Sequence, residues 1–216
     1  LWFADISRIR YRIINIEGED ILEQSFKEGR GAIIIIPHLG AWEMLSLAIS
    51  HKYPTTTLYK PLRLKGLEQK IVQARSRLGN NLVPTTTTGV KAVFSAIRKG
   101  EIVAILADQN PGIDNGIFSP FFGIPALTTT LPSKLAQKTH APVFTLVAKR
   151  CENGFKIIWH KCEESTENSI YNPDLQKSVN ALNKMMEDCI EPNLTQYQWS
   201  YKRFKNTPNN EKSIYT

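Results

Sequence analysis

A short run of apolar residues that ends in a sharp turn constrains the fold of this chain more than any other feature. Residues 32–36 read AIIII, a β-branched stretch typical of a strand that is buried on both faces. The run stops at residues 37–40, PHLG, and residues 41–51 predict a helix. Strands covered on both faces belong to parallel sheets between layers of helices, so this segment favours an α/β domain.

Strand and helix patterns alternate along the rest of the chain. The predicted strands are residues 55–59, 101–107, 143–149 and 155–160, and the predicted helices are residues 64–78, 90–97, 130–140 and a last one that opens at 172–173. Residues 109–130 contain so many Gly and Pro residues that we expect a long loop there, without a regular element. Because neither a repeat nor a linker interrupts the pattern, residues 1–216 predict a single α/β domain with a mostly parallel central sheet flanked by helices.

The charge balance favours an anionic partner. Among 216 residues, 27 Lys and Arg against 20 Asp and Glu leave a net charge of +7, which suits nucleic acid, an anionic membrane surface or an acidic protein. A content of 42% apolar residues excludes a disordered chain. The three scattered cysteines, Cys151, Cys162 and Cys189, fit neither a disulfide framework nor a cysteine-based zinc site, and we expect a reducing compartment.

The sequence contains no apolar stretch that approaches a membrane span. The run at residues 32–36 is far shorter than the ~20 residues that cross a bilayer as a helix. The sequence begins with Leu1 rather than Met, so we expect that an N-terminal piece precedes it. Whether that piece carries an anchor stays open.

His38 and Glu43 are the first candidates for chemistry, because reactive groups collect beyond the carboxyl ends of strands in an α/β sheet. On one continuous helix their side chains would point about 140° apart. A turn that ends at Gly40 would instead bring Glu43, in the first helical turn, within reach of the imidazole. A carboxylate bound to one ring nitrogen strengthens the other as a general base for a substrate hydroxyl. The alternative is a structural His and a solvated Glu; the spacing fits a metal pair poorly.

Asp108 and Gln109 end the strand at 101–107 and form the second candidate. Taken alone, DQNPG at residues 108–112 is typical of a polar turn. This turn leads toward Phe121 and Phe122, which line an acyl-chain pocket in one interpretation and belong to the core in the other.

Two segments are rich in basic residues. Between residues 60 and 77, six basic side chains accompany Glu68 alone: Lys60, Arg63, Lys65, Lys70, Arg75 and Arg77. This run predicts either a solvated helix face or a surface for phosphates or an acidic carrier protein, with one Arg turned inward to stabilise an oxyanion. Residues 199–205, WSYKRFK, interleave aromatic and basic residues, as in a polar tail, a membrane-interface patch or a nucleic-acid patch.

Taken in order, four segments of the chain resemble the late acyltransferases of lipid A biosynthesis, the lauroyl and myristoyl transferase family. Phosphatidylinositol mannoside acyltransferases are relatives of that family. The segments are IIIIPHLGAWE (33–43), ILADQNPG (105–112), FFGIPALTTTLPSKLAQKTHAPV (121–143) and QWSYKRFKNTP (198–208). No single motif is decisive, but the shared order and spacing extend over most of the chain.

The resemblance implies a glycerolipid-acyltransferase-like fold and an enzyme that moves a fatty acyl group from acyl carrier protein to a hydroxyl of a lipid A precursor. No cofactor, metal or covalent acyl-enzyme is expected. The catalytic residues would be His38 as the base, Glu43 as its partner and Arg75 at the oxyanion. We assign substrate binding to Arg77, Asp108, Gln109, Phe121, Phe122, Arg203 and Lys205.

Members of this family usually carry a hydrophobic anchor helix at the cytoplasmic face of the bacterial inner membrane. The resemblance therefore implies that location, with an anionic membrane surface as a partner and no nucleic acid. Lys60 stands where many relatives have Arg, which leaves acceptor contacts there open.

Three alternatives to this function remain. A glycerolipid acyltransferase would show H-x4-D and a Glu-Gly-Thr-Arg-type phosphate site, and a mannoside acyltransferase would differ in its acceptor. A non-catalytic basic module that binds lipid or nucleic acid would not need His38 and Glu43 in contact.

Overall fold

The chain folds as a central sheet between helices. The structure, a computed structural model, describes residues 11–62, 64–77, 79–164, 167–210 and 212–215, without the side chains of residues 46, 47, 65 and 210. The strands are β1 (Ile13–Glu17), β2 (Ala32–Ile35), β3 (Thr55–Tyr59), β4 (Asn80–Pro84), β5 (Ile102–Ile105), β6 (Gly116–Phe121), β7 (Ile124–Thr129), β8 (Val143–Cys151) and β9 (Gly154–Lys161). The α-helices are α1 (Glu19–Lys27), α2 (Glu43–Ser50), α3 (Lys65–Ser76), α4 (Thr87–Arg98), α5 (Leu131–Thr139) and α6 (Leu175–Ile190). None of the described helices combines the length and the apolar character of a membrane span.

Seven strands form one sheet in the order β1-β9-β8-β2-β5-β3-β4. β2 pairs in parallel with both β8 and β5, and β3 pairs in parallel with β5 and β4. Among the described strands of this sheet, only the pairing of β9 with β8 is antiparallel. The predicted α/β domain with a mostly parallel sheet is therefore confirmed. β2 is also the point at which the strand order reverses. The chain continues from β2 to β3 and β5 on one side of it, and later adds β8 on the other side. Ligands of open α/β sheets bind at such points.

Strand β2 is buried on both faces, which explains its uniformly apolar sequence. Ile33 and Ile35 pack into the cluster formed with α4, α5 and α6 on one face of the sheet. Ile34 packs with α1 and α2 on the other face. Successive side chains of a strand alternate between faces, so a strand between two helical layers must be apolar at every position.

The irregular loop predicted at residues 109–130 is wrong for its second half. β6 and β7 form an antiparallel hairpin there, with Phe122 and Gly123 in the turn, both at positive φ (49° and 77°). Pro120 lies opposite Pro125 in this hairpin. Prolines are compatible with it because both strands of a two-stranded sheet are edge strands, whose outer N–H groups need no partner strand.

The predicted helices are confirmed with shifted ends. α2 begins at Glu43 rather than at residue 41, and α3 occupies the described part of the helix predicted at 64–78. Arg63 and Leu78 lie outside the described residues. Besides the hairpin of β6 and β7, the elements β1, α1 and β4 were not predicted; β1 is exposed along most of its length, although three of its five residues are Ile.

Gly40 holds the turn after β2 against strand β8. It has a φ of 60° and forms an isolated bridge with Ala148. A Cβ atom added to Gly40 would lie 2.1 Å from the carbonyl oxygen of Ala148. Glycine alone fits both the left-handed backbone and this close approach. Because His38 lies in the same turn, the approach also determines where the imidazole leaves the sheet.

We expect Gly40→Ala to lower the free energy of unfolding by more than about 3 kcal/mol, because the added methyl group must displace the backbone of β8. Gly29→Ala is the matched control, since Gly29 has a φ of 70° but nothing within 4 Å of an added Cβ. It should lose only the cost of the left-handed backbone, about 1 kcal/mol. Urea unfolding followed by circular dichroism measures both losses, and equal losses would contradict the role of the close approach.

Candidate active site

His38 and Asp108 form a hydrogen-bonded pair at the carboxyl edge of the parallel strands. Nδ1 of His38 lies 2.6 Å from Oδ1 of Asp108, and the backbone N–H of His38 donates to Oδ2 at 2.7 Å. The His38 side chain is 11% exposed and the Asp108 side chain 1%. One carboxylate therefore binds the ring and the backbone of the same residue, which fixes the orientation of the imidazole.

The register of β2 and β5 explains why these two residues meet. The strands are parallel neighbours in which Ile35 lies opposite Ile105. His38 is the third residue after Ile35, and Asp108 is the third residue after Ile105. The turns that leave the two strands thus deliver the imidazole and the carboxylate side by side. The equal spacing from two apolar runs is visible in the sequence, whereas the pairing of these two strands is not.

Asp108 determines which tautomer of His38 satisfies the site. A carboxylate only accepts, so the proton resides on Nδ1, which donates to Asp108 at 2.6 Å. The other ring nitrogen, Nε2, lies 3.2 Å from Nε2 of Gln109 and accepts from that amide. Nε2 of His38 is therefore the atom that can accept a proton from a substrate.

Glu43 binds Arg75 rather than His38. Arg75 donates from Nε to Oε2 at 3.1 Å and from Nη2 to Oε1 at 2.5 Å. Among the described residues, the hydrogen bonds of the His38 ring go to Asp108 and Gln109. The expectation that Glu43 orients the imidazole is therefore wrong, and Asp108, which we assigned to substrate binding, occupies that place. The physical reason is that a guanidinium offers a carboxylate two parallel charged donors, whereas an imidazole offers one.

Trp42 connects the two pairs. Its ring centroid lies 4.7 Å from that of His38 in an edge-on arrangement, and the guanidinium carbon of Arg75 lies 5.5 Å from the Trp42 ring centroid. The Glu43 and Arg75 side chains are 20% and 23% exposed. The site thus combines a proton acceptor with a nearby cation in a partly buried setting. The described residues hold no group of three or more His, Cys, Asp or Glu side chains placed to share a metal ion.

A C-terminal segment, residues 196–206, is fastened to the turn that carries His38. The backbone N–H of Gln198 donates to the carbonyl oxygen of His38 at 3.1 Å. The backbone N–H of Gly40 donates to the carbonyl oxygen of Gln196 at 3.0 Å. Sequence reasoning assigned part of this segment to substrate binding and did not foresee that it would brace the turn.

The same C-terminal segment is fastened to the turn that carries Asp108. The backbone N–H of Asn110 donates to the hydroxyl of Tyr201 at 2.9 Å, and its side-chain amide donates to Oδ1 of Asn206 at 2.7 Å. One segment therefore holds both turns of the site in their relative positions.

Tyr197 lies at this site, and the sequence reasoning missed it. Burial raises the pKa of its phenol, and the nearby charge of Asp108 raises the pKa further. The phenol is therefore neutral at physiological pH and lies close to the Asp108 carboxylate. Only the aromatic character of the segment around Tyr197 was visible in the sequence, and that character does not single out this residue.

Arg203 lies in the interior rather than on a surface that substrates reach. Its guanidinium donates to the carbonyl oxygen of Leu127 at 2.6 Å and to Oγ1 of Thr128 at 2.7 Å, and it lies over the ring of Phe121. Only 3% of the residue is exposed. The expectation that Arg203 contacts substrate is therefore corrected: it ties the C-terminal segment to β7. A buried guanidinium needs such acceptors because an unpaired buried charge is costly.

The remaining predicted site residues do not share one place in the fold. Phe121 is fully buried in the core, whereas Phe122 is half-buried, with its N–H donating to Oε1 of Glu187. Arg77 follows α3, where its Nε donates to the carbonyl oxygen of Ala74. Lys205 is exposed. The structure thus assigns Phe121 to the core interpretation and leaves the substrate roles of Phe122, Arg77 and Lys205 as predictions.

Comparison with known proteins settles the family. A sequence profile of the family described as bacterial lipid A biosynthesis acyltransferase matches residues 1–206. The chain belongs to this family. Membership supports an enzyme that transfers acyl groups in lipid A biosynthesis, and the resemblance stated from the sequence is confirmed.

Curated relatives of the chain include members with different acceptors. The chain is 28% identical over 218 residues to the lipid A biosynthesis palmitoleoyltransferase of Escherichia coli. This alignment covers 99% of this chain and 68% of the relative. It is 26% identical to the lipid A biosynthesis lauroyltransferase of the same organism, over 99% of this chain and 69% of the relative. It is 29% identical to a phosphatidylinositol mannoside acyltransferase of Mycobacterium tuberculosis, over 58% of this chain and 41% of the relative.

We expect Arg203→Ala to lower the free energy of unfolding by about 2–4 kcal/mol, because buried acceptors in β7 lose their donors. Lys205→Ala is the control, since Lys205 is a nearby exposed cation whose loss should change stability by less than about 0.5 kcal/mol. Thermal unfolding of both variants provides the comparison. A stable Arg203→Ala variant would contradict the structural role and restore a role in substrate binding.

Proposed function

We propose that the protein transfers a fatty acyl group from the thioester of acyl carrier protein to a hydroxyl of a lipid A precursor. Family membership supports the reaction class. The observation that carries the mechanism is the His38–Asp108 pair, since it leaves one ring nitrogen of a fixed imidazole as a proton acceptor. General bases of this kind act directly on a hydroxyl.

The transfer proceeds in one displacement. The acceptor hydroxyl takes the place of the Gln109 amide at Nε2 of His38. Nε2 then accepts the proton of that hydroxyl while the oxygen attacks the thioester carbonyl carbon. The tetrahedral intermediate then collapses, the ester remains on the acceptor, and the carbon–sulfur bond breaks. The imidazolium returns its proton to the departing thiolate of the carrier. No nucleophilic Ser or Cys takes part, so no acyl-enzyme forms.

Asp108 supports this step by its charge and its hydrogen bonds. Its carboxylate accepts from the His38 ring and the His38 backbone, so the imidazole cannot rotate away from the acceptor. The negative charge also stabilises the imidazolium that forms during proton transfer. Asp108 therefore acts as a positioning residue through His38.

Arg75 provides positive charge for the oxyanion. It contacts Trp42, which contacts His38 in turn, so the guanidinium lies on the side of the site where Glu43 begins α2. Glu43 holds the guanidinium through two hydrogen bonds. A cation fixed in a partly buried site stabilises developing negative charge without reorganising, which is the usual source of oxyanion stabilisation.

The partners follow from the charge of the chain and the chemistry of the reaction. A net charge of +7 suits an acidic carrier protein and a phosphorylated lipid acceptor. We place the reaction at the cytoplasmic face of the bacterial inner membrane, at an anionic lipid surface.

A mannoside acceptor is the second candidate. The match to a phosphatidylinositol mannoside acyltransferase favours it over the 131 residues that align. The lipid A relatives align over nearly the whole chain, which favours the lipid A acceptor. The glycerolipid alternative has less support, since the chain has Glu43 and an Asp-Gln turn where that class would show Asp and a Glu-Gly-Thr-Arg-type site. Family membership argues against the non-catalytic module.

We expect His38→Ala to lower the rate of acyl transfer by about 10²–10⁴-fold through the loss of base catalysis. Asp108→Asn should cost about 10²-fold, because the amide no longer stabilises the imidazolium. Mass spectrometry of a detergent-dispersed lipid A precursor, with an acylated carrier protein as donor, measures the product. His160→Ala is the control, because His160 is exposed on β9 and should transfer normally. Normal transfer by His38→Ala would refute the mechanism.

We expect Glu43→Gln and Arg75→Lys each to slow the transfer by about tenfold or more, since oxyanion stabilisation requires both partners of the pair. Because they act together, the double variant should lose less than the product of the two single losses. Glu68→Gln is the matched control on α3, where Glu68 accepts a hydrogen bond from the Tyr59 hydroxyl. Fully multiplicative losses in the double variant would contradict a single functional unit.

A further inference from the structure

Three leucines are exposed together where β3 leads into α3. Leu62, Leu64 and Leu67 are 41%, 70% and 46% exposed. Lys60 before them and Lys70 after them are also exposed. We call these five residues the leucine–lysine rim. Neighbouring exposed leucines of this kind mark a surface that another apolar phase covers.

The leucine–lysine rim lies at the same edge of the sheet as the active site. β2, β5 and β3 are parallel, so their carboxyl ends share one edge, and His38, Asp108 and residue 60 follow those ends. The Tyr59 hydroxyl donates to Glu68 at 3.0 Å, which fastens the start of α3 to the end of β3. The leucines therefore project from a braced part of the fold.

A second exposed apolar pair lies on the C-terminal segment. Trp199 and Leu194 are 48% and 46% exposed, and the indole N–H donates to the carbonyl oxygen of Leu194 at 2.7 Å. Gln198, next to Trp199, binds the carbonyl oxygen of His38. The turn that carries His38 thus has an exposed tryptophan close by, and tryptophan is enriched where protein meets the lipid headgroup region.

We propose that the leucine–lysine rim binds an anionic lipid bilayer, so that the active-site edge of the sheet faces the membrane. The leucines enter the outer acyl region, while the lysines meet lipid phosphates, the arrangement that interfacial segments use. An acidic carrier protein would match the lysines but would leave the leucines without a hydrocarbon phase. The role of the rim rests on the proposed function, because the acceptor in that reaction is itself a membrane lipid whose hydroxyl must reach His38.

Vesicle binding of the 216-residue chain tests this surface without any acyl transfer. The probe is sedimentation with vesicles of phosphatidylcholine mixed with phosphatidylglycerol, and with vesicles of phosphatidylcholine alone. The test variant is Leu67→Ser/Lys70→Glu on α3. The matched control is Ile21→Ser/Lys27→Glu on α1, where Ile21 is 40% exposed and Lys27 is also exposed. Both variants change one apolar residue and lower the net charge equally.

We expect the test variant to lose at least about tenfold in binding to the anionic vesicles, and the control to stay within about twofold of the parent chain. Added salt should weaken binding of the parent chain. Leu64→Ser should also weaken binding to the anionic vesicles. Because Leu64 lies before the first residue of α3, this loss would not come from a folding defect in that helix. Equal binding by the test and control variants would overturn the proposal.

Two further measurements separate this proposal from others. If the test variant loses binding to the carrier protein but keeps vesicle binding, the rim is a protein surface and the membrane proposal is wrong. Leu64→Ser should retain acyl transfer to a detergent-dispersed acceptor, because it leaves the catalytic pair and every basic residue in place. If the parent chain fails to transfer at all while the vesicle results are as expected, the proposed function fails and the membrane surface stands.

Discussion

Parallel pairing of β2 with β5 places Ile35 beside Ile105, and the active site follows from that register. The pairing brings together two turns that are seventy residues apart in sequence. A slip of one residue would move one turn by about 3.3 Å along the sheet. It would also exchange the faces of an entire strand between the two helical layers. The register therefore fixes the distance between His38 and Asp108.

Asp108 is a buried charge with several compensating contacts. It accepts from the backbone and ring of His38, and the phenol of Tyr197 lies close to it. The charge of Asp108 also offsets part of the cost of burying Arg203, whose pKa is lowered by desolvation. A carboxylate can remain ionised in the interior only with such partners. The same contacts that make the burial tolerable hold the imidazole in place.

Local patterns in the sequence predicted the fold well and the site in part. The strand at 55–59 and the apolar face of α6 were predictable because strand and helix periodicity are local signals. Asp108 and His38 were both identified as candidates, but their pairing was not predicted. That pairing requires β5 to lie beside β2, and strand order is not a local signal in the sequence. Glu43 was paired with His38 from proximity in sequence, whereas Arg75, thirty-two residues later, competes successfully for that carboxylate.

The misassigned segments share one cause. The hairpin of β6 and β7 contains prolines and glycines that usually interrupt regular structure, and its stability depends on α6: Asn183 donates to the carbonyl oxygen of Pro120. Arg203 was expected to reach substrate because a basic residue in an aromatic and basic stretch usually faces solvent. Its acceptors lie on β7, distant in sequence, so nothing near residue 203 reveals that it is buried.

The C-terminal segment also imposes an order on biosynthesis. The turns that carry His38 and Asp108 are synthesised before Gln198 and Tyr201, which brace them. A nascent polypeptide that has not passed residue 201 can pair its strands yet lacks the contacts that join the two turns. All seven strands of the sheet are therefore made before the segment that braces the candidate site.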